Sequence, residues 1–161
     1  MNQSLTHLSD QIWSYAETGF TEVQSSRAMC EFLRNAGFEV TEKIADMDTA
    51  YKATWGTGKP VITFLTEYDA LFGMNQTADV TEYCPITSNE ATGHGCGHHL
   101  LGVGAIAAAV EYRNYLKENN LEGTVEVLGC PAEEAGSGKA YLARDGYLDN
   151  TDIALTWHPG L

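Results

Sequence analysis

An α/β fold, with a layered and mainly parallel sheet flanked by helices, is predicted by three observations. Short apolar, β-branched runs alternate with stretches of helical periodicity along the whole chain. One run, Val61-Ile62-Thr63-Phe64-Leu65, lacks the polar alternation of a half-exposed strand and reads as covered on both faces. The stretches between strands are long enough for the helical crossovers that parallel pairing requires. At 161 residues the chain supports one domain with a substantial core.

The first helix is expected over about 5–17, where Leu5, Leu8, Ile12, Trp13 and Ala16 share one face; Gly19 ends it. A second covers about 22–35 and is closed by Gly37. An extended segment near 38–44 leads into an expected hairpin, with strands at 50–55 and 60–66 around the turn Gly56-Thr57-Gly58. The polar stretch 72–92 shows no periodicity, and loops of that length in a compact domain are usually functional or mobile. A long alanine-rich helix is expected at 99–119. Its apolar part, 100–110, is broken by Gly102 and Gly104, is too short to span a bilayer and reads as buried. A strand at 124–129, a helix at 138–144 and a strand at 153–156 complete the pattern.

Nine basic against 22 acidic side chains give a formal charge of −13, which repels a phosphate backbone and argues against a nucleic-acid partner. No apolar run has membrane-spanning length and no leader is visible, so a cytoplasmic protein away from membranes is expected. Cys30, Cys84, Cys96 and Cys130 form no CxxC pair, and free thiols are expected in a reducing compartment. Cys30 reads as helix packing.

Polar clusters follow three of the expected strands: Glu67-Tyr68-Asp69, Cys130-Pro131-Ala132-Glu133-Glu134 and Trp157-His158-Pro159-Gly160. In open α/β sheets ligands bind beyond the carboxyl ends of the strands. The densest cluster is Gly93-His94-Gly95-Cys96-Gly97-His98-His99, which places three of the five histidines within six positions, just ahead of the long helix. Thiolate and imidazole are the donors that zinc and other borderline metals prefer. The interleaved glycines let Cys96 and His98 turn toward one centre, and a helix N-terminus beside the thiol favours its anion. Of the adjacent Glu133 and Glu134, which cannot point the same way in an extended chain, one can bind metal while the other reaches a metal-activated water, as amide hydrolysis requires. His158, after an apolar strand, reads as a further ligand. Asp69 reads as a group orienting a ligand histidine from behind. Glu67 is left open between that task and capping the next element. Gly136-Ser137-Gly138-Lys139 is not a phosphate loop, because the required earlier glycine falls at Glu133 and Ala140 follows the lysine.

Together with Tyr15-Ala16-Glu17-Thr18-Gly19-Phe20 and Glu67-Tyr68-Asp69-Ala70-Leu71, these motifs resemble the aminoacylase/carboxypeptidase family of metal-dependent amidohydrolases, with a zinc-peptidase-like catalytic domain. The branch they resemble contains p-aminobenzoyl-glutamate hydrolase subunits and hydrolases of indole-acetic-acid–amino-acid conjugates. The resemblance implies a site for two divalent metals, zinc or manganese with cobalt as an option. It makes Cys96, His98, Glu134 and His158 the metal ligands, Glu133 the general base and His94 nearby support. Where many relatives carry an acidic residue after the second histidine, this chain has His99. The resemblance also implies that residues 1–161 form the N-terminal part of the catalytic domain. The lid and dimerisation domain, the C-terminal part of the catalytic domain and the last ligand histidine have no counterpart here.

The activity so implied is hydrolysis of N-acyl or N-aroyl amino-acid amide bonds in a small, dipeptide-like substrate by a metal-activated water. A homo-oligomer is compatible with it. A catalytically silent metal-binding fragment is the alternative, and a cysteine hydrolase using Cys96 as nucleophile is a third reading.

Overall fold

The computed structural model of the protein describes residues 2–86 and 91–158. Two helices come first, α1 (Asn2–Tyr15) and α2 (Val23–Asn35), followed by strands β1 (Glu39–Glu42), β2 (Tyr51–Thr57) and β3 (Val61–Thr66). Two-residue strands β4 (Leu71–Phe72) and β5 (Thr92–Gly93) precede the long helix α3 (His98–Glu118). Strand β6 (Gly123–Gly129), helices α4 (Glu133–Gly136) and α5 (Gly138–Arg144) and strand β7 (Ile153–Leu155) follow.

The main sheet has the order β1-β2-β6-β3-β7. Strand β6 pairs in parallel with β3, and β3 in parallel with β7. Strand β2 runs antiparallel to both of its neighbours, β1 and β6, so the other four strands share one direction. The mainly parallel α/β architecture is therefore the observed one.

The expected hairpin is not. Strands β2 and β3 flank β6 instead of pairing with each other: Val125 faces Trp55 on one side and Ile62 on the other. All seven residues of β6 are buried. Leaving such a strand on an edge would strand buried amides and carbonyls without partners, so the chain returns β6 into the gap and satisfies both of its edges.

Alternation along β6 divides the core. Val125 and Val127 join Ile12 of α1, Leu33 of α2 and Ile106 of α3 in one layer. Leu128 faces the opposite way, toward Leu65, Cys130 and Leu142 of α5. The start of α2 is held from outside: its early amides at Gln24 and Ser25 donate to the Glu17 carboxylate at 3.0 and 2.9 Å. Among the described residues no helix is long and apolar enough to cross a membrane. The polar stretch 72–92 is pinched at its base by the pairing of β4 with β5. Inside it, the Thr77 amide donates to the Cys84 carbonyl and the Ile86 amide to the Asn75 side chain; its residues 87–90 lie outside the described set.

Candidate metal centre

Because β3, β6 and β7 run in parallel, their carboxyl ends lie at one edge of the sheet, and the three polar clusters are delivered there together. The fourth cluster arrives from β5. Its Gly97, at φ 77°, adopts the left-handed conformation that lets the loop turn directly into α3 with His98 as first helical residue.

His98 is the hub and is fully buried. Its Nδ1 lies 2.8 Å from Asp69 Oδ1 and 3.1 Å from the Asp69 carbonyl. Both neighbours are acceptors, so Nδ1 carries the proton and Nε2 presents its lone pair. Around Nε2 stand Glu67 Oε2 at 3.2 Å, Glu133 Oε2 at 3.8 Å and Glu134 Oε1 at 3.9 Å. Cys96 Sγ and His158 Nε2 are 3.1 Å apart. Cys96, His98 and His158 offer ligand atoms within 4.8 Å of one another, and Glu67, His98 and Glu133 do the same. Asp69 also accepts the Glu134 amide at 2.9 Å, so one carboxylate ties the His98 ring to the Glu133-Glu134 turn.

That turn is not extended. Ala132 has φ 54°, and Glu133 and Glu134 open the one-turn helix α4, which lets both carboxylates approach His98 Nε2 within 4 Å. Ala132 is set from a distance: its amide donates to the buried Glu22 carboxylate at 2.7 Å, and Gly19 packs so closely that an added Cβ would sit 2.9 Å from Cβ of Ala132. The 15–20 motif thus backs the Glu133-Glu134 turn, a role that nothing local in its sequence reveals.

The electrostatics follow from this crowd of carboxylates. Burial first, then Glu134, Glu133 and Glu67, push the Cys96 thiol up to about 11. A thiol so placed is a poor nucleophile without a cation beside it, which weighs against the cysteine-hydrolase reading. Burial alone would lower the His98 imidazolium, but the Asp69 bond and then Glu67 and Glu134 outweigh it and raise it. Asp69 also feels burial first, yet its bonds to His98 and the Glu134 amide bring it below the usual carboxylate range.

His94 lies elsewhere than the ligand cluster. Its Nε2 donates to the Ile12 carbonyl at 3.0 Å, and its ring stacks on Trp13. His99 sits 4.9 Å from Trp13 and 5.0 Å from His94, ring to ring, so the two histidines fasten the Cys96 loop to α1. Two further participants are Glu67, which the sequence left open, and Lys139, which it did not single out for the site. Lys139 forms an ion pair with Glu67 Oε1. For Glu67 a signal exists, because residues two apart in a non-helical stretch face one side, and Asp69 stands two places on. For Lys139 the sequence carries none.

The donor set fits a divalent metal. Thiol, imidazole and carboxylate are zinc-type ligands, and the buried Nε2 of His98 and Oε2 of Glu67 have no hydrogen-bond partner among the described residues. A cation would satisfy both.

A model of the peptidase family M20/M25/M40 matches residues 63–160, more than half of the chain. The chain belongs to this family. Over 157 residues it is 46% identical to a p-aminobenzoyl-glutamate hydrolase subunit of Escherichia coli (strain K12), covering 98% of this chain and 32% of that one. Over 148 residues it is 30% identical to IAA-amino acid hydrolase ILR1-like 6 of Arabidopsis thaliana, covering 88% of this chain and 29% of the relative. The chain thus spans about a third of the length of these curated relatives. Its fold is that of the YXEP protein of Bacillus subtilis, described as a dinuclear metal binding peptidase of the M20 family, at a TM-score of 0.77 and 21% identity. That match covers 99% of this chain and 44% of the other.

Proposed function

We propose that this M20-family chain carries the metal-binding face of an amidohydrolase acting on N-acyl or N-aroyl amino acids. Cys96, His98, Glu134 and His158 hold the metal, Glu133 is the general base, Asp69 orients His98, and His94 supports the loop from behind. The observation that carries this reading is the tautomer of His98: with Nδ1–H given to Asp69, Nε2 is offered as a lone pair to a point that Cys96, His158 and three carboxylates surround. The names of the relatives support the substrate class, since one hydrolyses p-aminobenzoyl-glutamate and the other IAA–amino acid conjugates.

A metal bound there would act as a Lewis acid toward the scissile carbonyl and would make water acidic enough to attack near neutral pH. Glu133, which is about one-third exposed, takes a proton from the attacking water. As the water oxygen bonds to the amide carbon and the C–N bond breaks, the same carboxyl returns the proton to the departing nitrogen. Asp69 keeps the His98 ring from rotating and holds the Glu134 amide, so base and ligand stay in register.

Two metals, zinc favoured over magnesium or calcium by the Cys96 thiol with manganese and cobalt as further options, belong to this proposal. So do the reading of residues 1–161 as the N-terminal part of the catalytic domain and self-association. A reducing, cytoplasmic setting is supported by the four unbridged cysteines. The acidic balance supports small-molecule substrates over nucleic acid. The test is elemental analysis of purified protein beside turnover of N-aroyl glutamate with and without chelator. Bound zinc or manganese with chelator-sensitive turnover is expected, whereas turnover that survives chelation and dies with thiol alkylation would overturn the assignment.

A further inference from the structure

Glu67 is 1% exposed, and its two oxygens have different surroundings. Oε1 is bound by the Lys139 ammonium at the start of α5. Among the described residues Oε2 has no hydrogen-bond partner, and it lies 3.2 Å from His98 Nε2, which has none either. Since Nδ1 of His98 gives its proton to Asp69, Nε2 and Oε2 are two acceptors facing each other in a buried place. At that separation they repel unless a positive charge lies between them, and burial strengthens the repulsion. Both groups are held in place: Asp69 fixes the His98 ring, the Glu67 carbonyl lies against α3 at Gly102, 2.3 Å from where a Cβ would stand, and Lys139 holds the other end of Glu67.

Building on the metal-site reading above, we propose that Glu67, aimed by Lys139, is a further positioning group of the centre, presenting Oε2 to the cation that His98 Nε2 binds. Lys139 meets one oxygen of the carboxylate so that the other cannot swing away, and it offsets the negative charge that the carboxylate adds to a centre already crowded by Glu133 and Glu134. The pair gives the lysine of Gly136-Ser137-Gly138-Lys139 a role unrelated to phosphate.

The experiment measures dissociation constants for Zn²⁺ and Mn²⁺ by chelator competition in wild-type protein, Glu67→Gln, Lys139→Met, Lys139→Arg and Glu67→Gln/Lys139→Met, with circular dichroism to establish that each is folded. Glu67→Gln and Lys139→Met are each expected to weaken binding about tenfold, the usual scale for groups that orient metal ligands. Lys139→Arg should stay within about twofold of wild type, and the double variant should be no weaker than Glu67→Gln alone, because the two residues act as a unit. Unchanged affinity in Glu67→Gln, or full additivity in the double variant, overturns the proposal. Should Glu67→Gln fail to fold, Lys139→Met against Lys139→Arg decides: a loss restored by arginine upholds the pair, and equal affinities overturn it. A wild-type protein that takes up neither metal would instead overturn the metal-site reading on which this rests.

Discussion

Oδ1 of Asp69 lies 2.8 Å from Nδ1 of His98 while Oδ2 of the same carboxylate accepts the Glu134 amide at 2.9 Å. Both partners are donors, so a residue with only one acceptor oxygen cannot serve both. Asp69→Asn is therefore expected to weaken metal binding by roughly 10- to 100-fold while leaving the fold intact. Chelator competition and circular dichroism check this, and an unchanged affinity would show that the Asp69 bridge does not position the site.

The proposed roles of Glu133 and Glu134 are separable by experiment. Glu133→Gln removes a proton acceptor and should reduce turnover by about 10²- to 10⁴-fold with metal retained. Glu134→Gln should lose metal. Elemental analysis of the two variants beside their rates distinguishes them, and the reverse pattern would mean the two roles are exchanged.

Metal binding should release a proton. Burial, then Glu134, Glu133 and Glu67, hold the Cys96 thiol up at about 11. A cation displaces the thiol proton, while His98 already offers Nε2 as a lone pair, so affinity strengthens as pH rises and weakens as it falls, by about tenfold per pH unit. Titration calorimetry at pH 6 and 8, in buffers of different ionisation enthalpy, measures this; pH-independent affinity would contradict it.

His99 makes the fold acid-sensitive. Burial, followed by the nearby His94 and His98, lowers it from 6.5 to about 4, and burial also lowers His94. The unfolded chain therefore takes up a proton first. The His99 contribution to stability is complete above pH 6.5 and is lost as pH drops from 6.5 toward about 4, by on the order of 3 kcal/mol. His99→Leu should flatten that part of the stability curve. Urea unfolding between pH 4 and 7 is the measurement, and a wild-type curve flat over that range would contradict the account.

Gly19→Ala should destabilise the protein by about 1–3 kcal/mol, since no room exists for the added methyl without moving the turn. Its Cβ would stand 2.9 Å from Cβ and 3.0 Å from Cα of Ala132, directly before Glu133. Chemical denaturation reads the loss, and a variant as stable as wild type would mean that the 15–20 segment is not packed on the Glu133-Glu134 turn.

Much of this molecule was legible in the chain. The helix expected at 138–144 is α5 residue for residue, and the final strand and the long helix differ from expectation by no more than one residue at either end. These elements carry their own signals in periodicity and in flanking glycine or polar residues. The sheet order was not legible, because pairing partners depend on which strand is most deeply buried: the turn at Gly56-Thr57-Gly58 suits a hairpin locally, yet β6 displaces it. Glu133 and Glu134 read as an extended pair, whereas the left-handed Ala132, held by the distant Glu22, starts a helix there.

By itself the sequence determined that donor-rich clusters stand at the ends of apolar strands and that cysteine and histidine crowd a glycine loop, since residue type and spacing are local properties. Only the tertiary structure decided which nitrogen of His98 carries its proton, that Lys139 reaches Glu67 across 72 positions, and that Gly19 supports Ala132. Those facts come from contacts between segments far apart in the chain, and such contacts exist only once the core has closed and removed the water that would otherwise screen and satisfy each group separately.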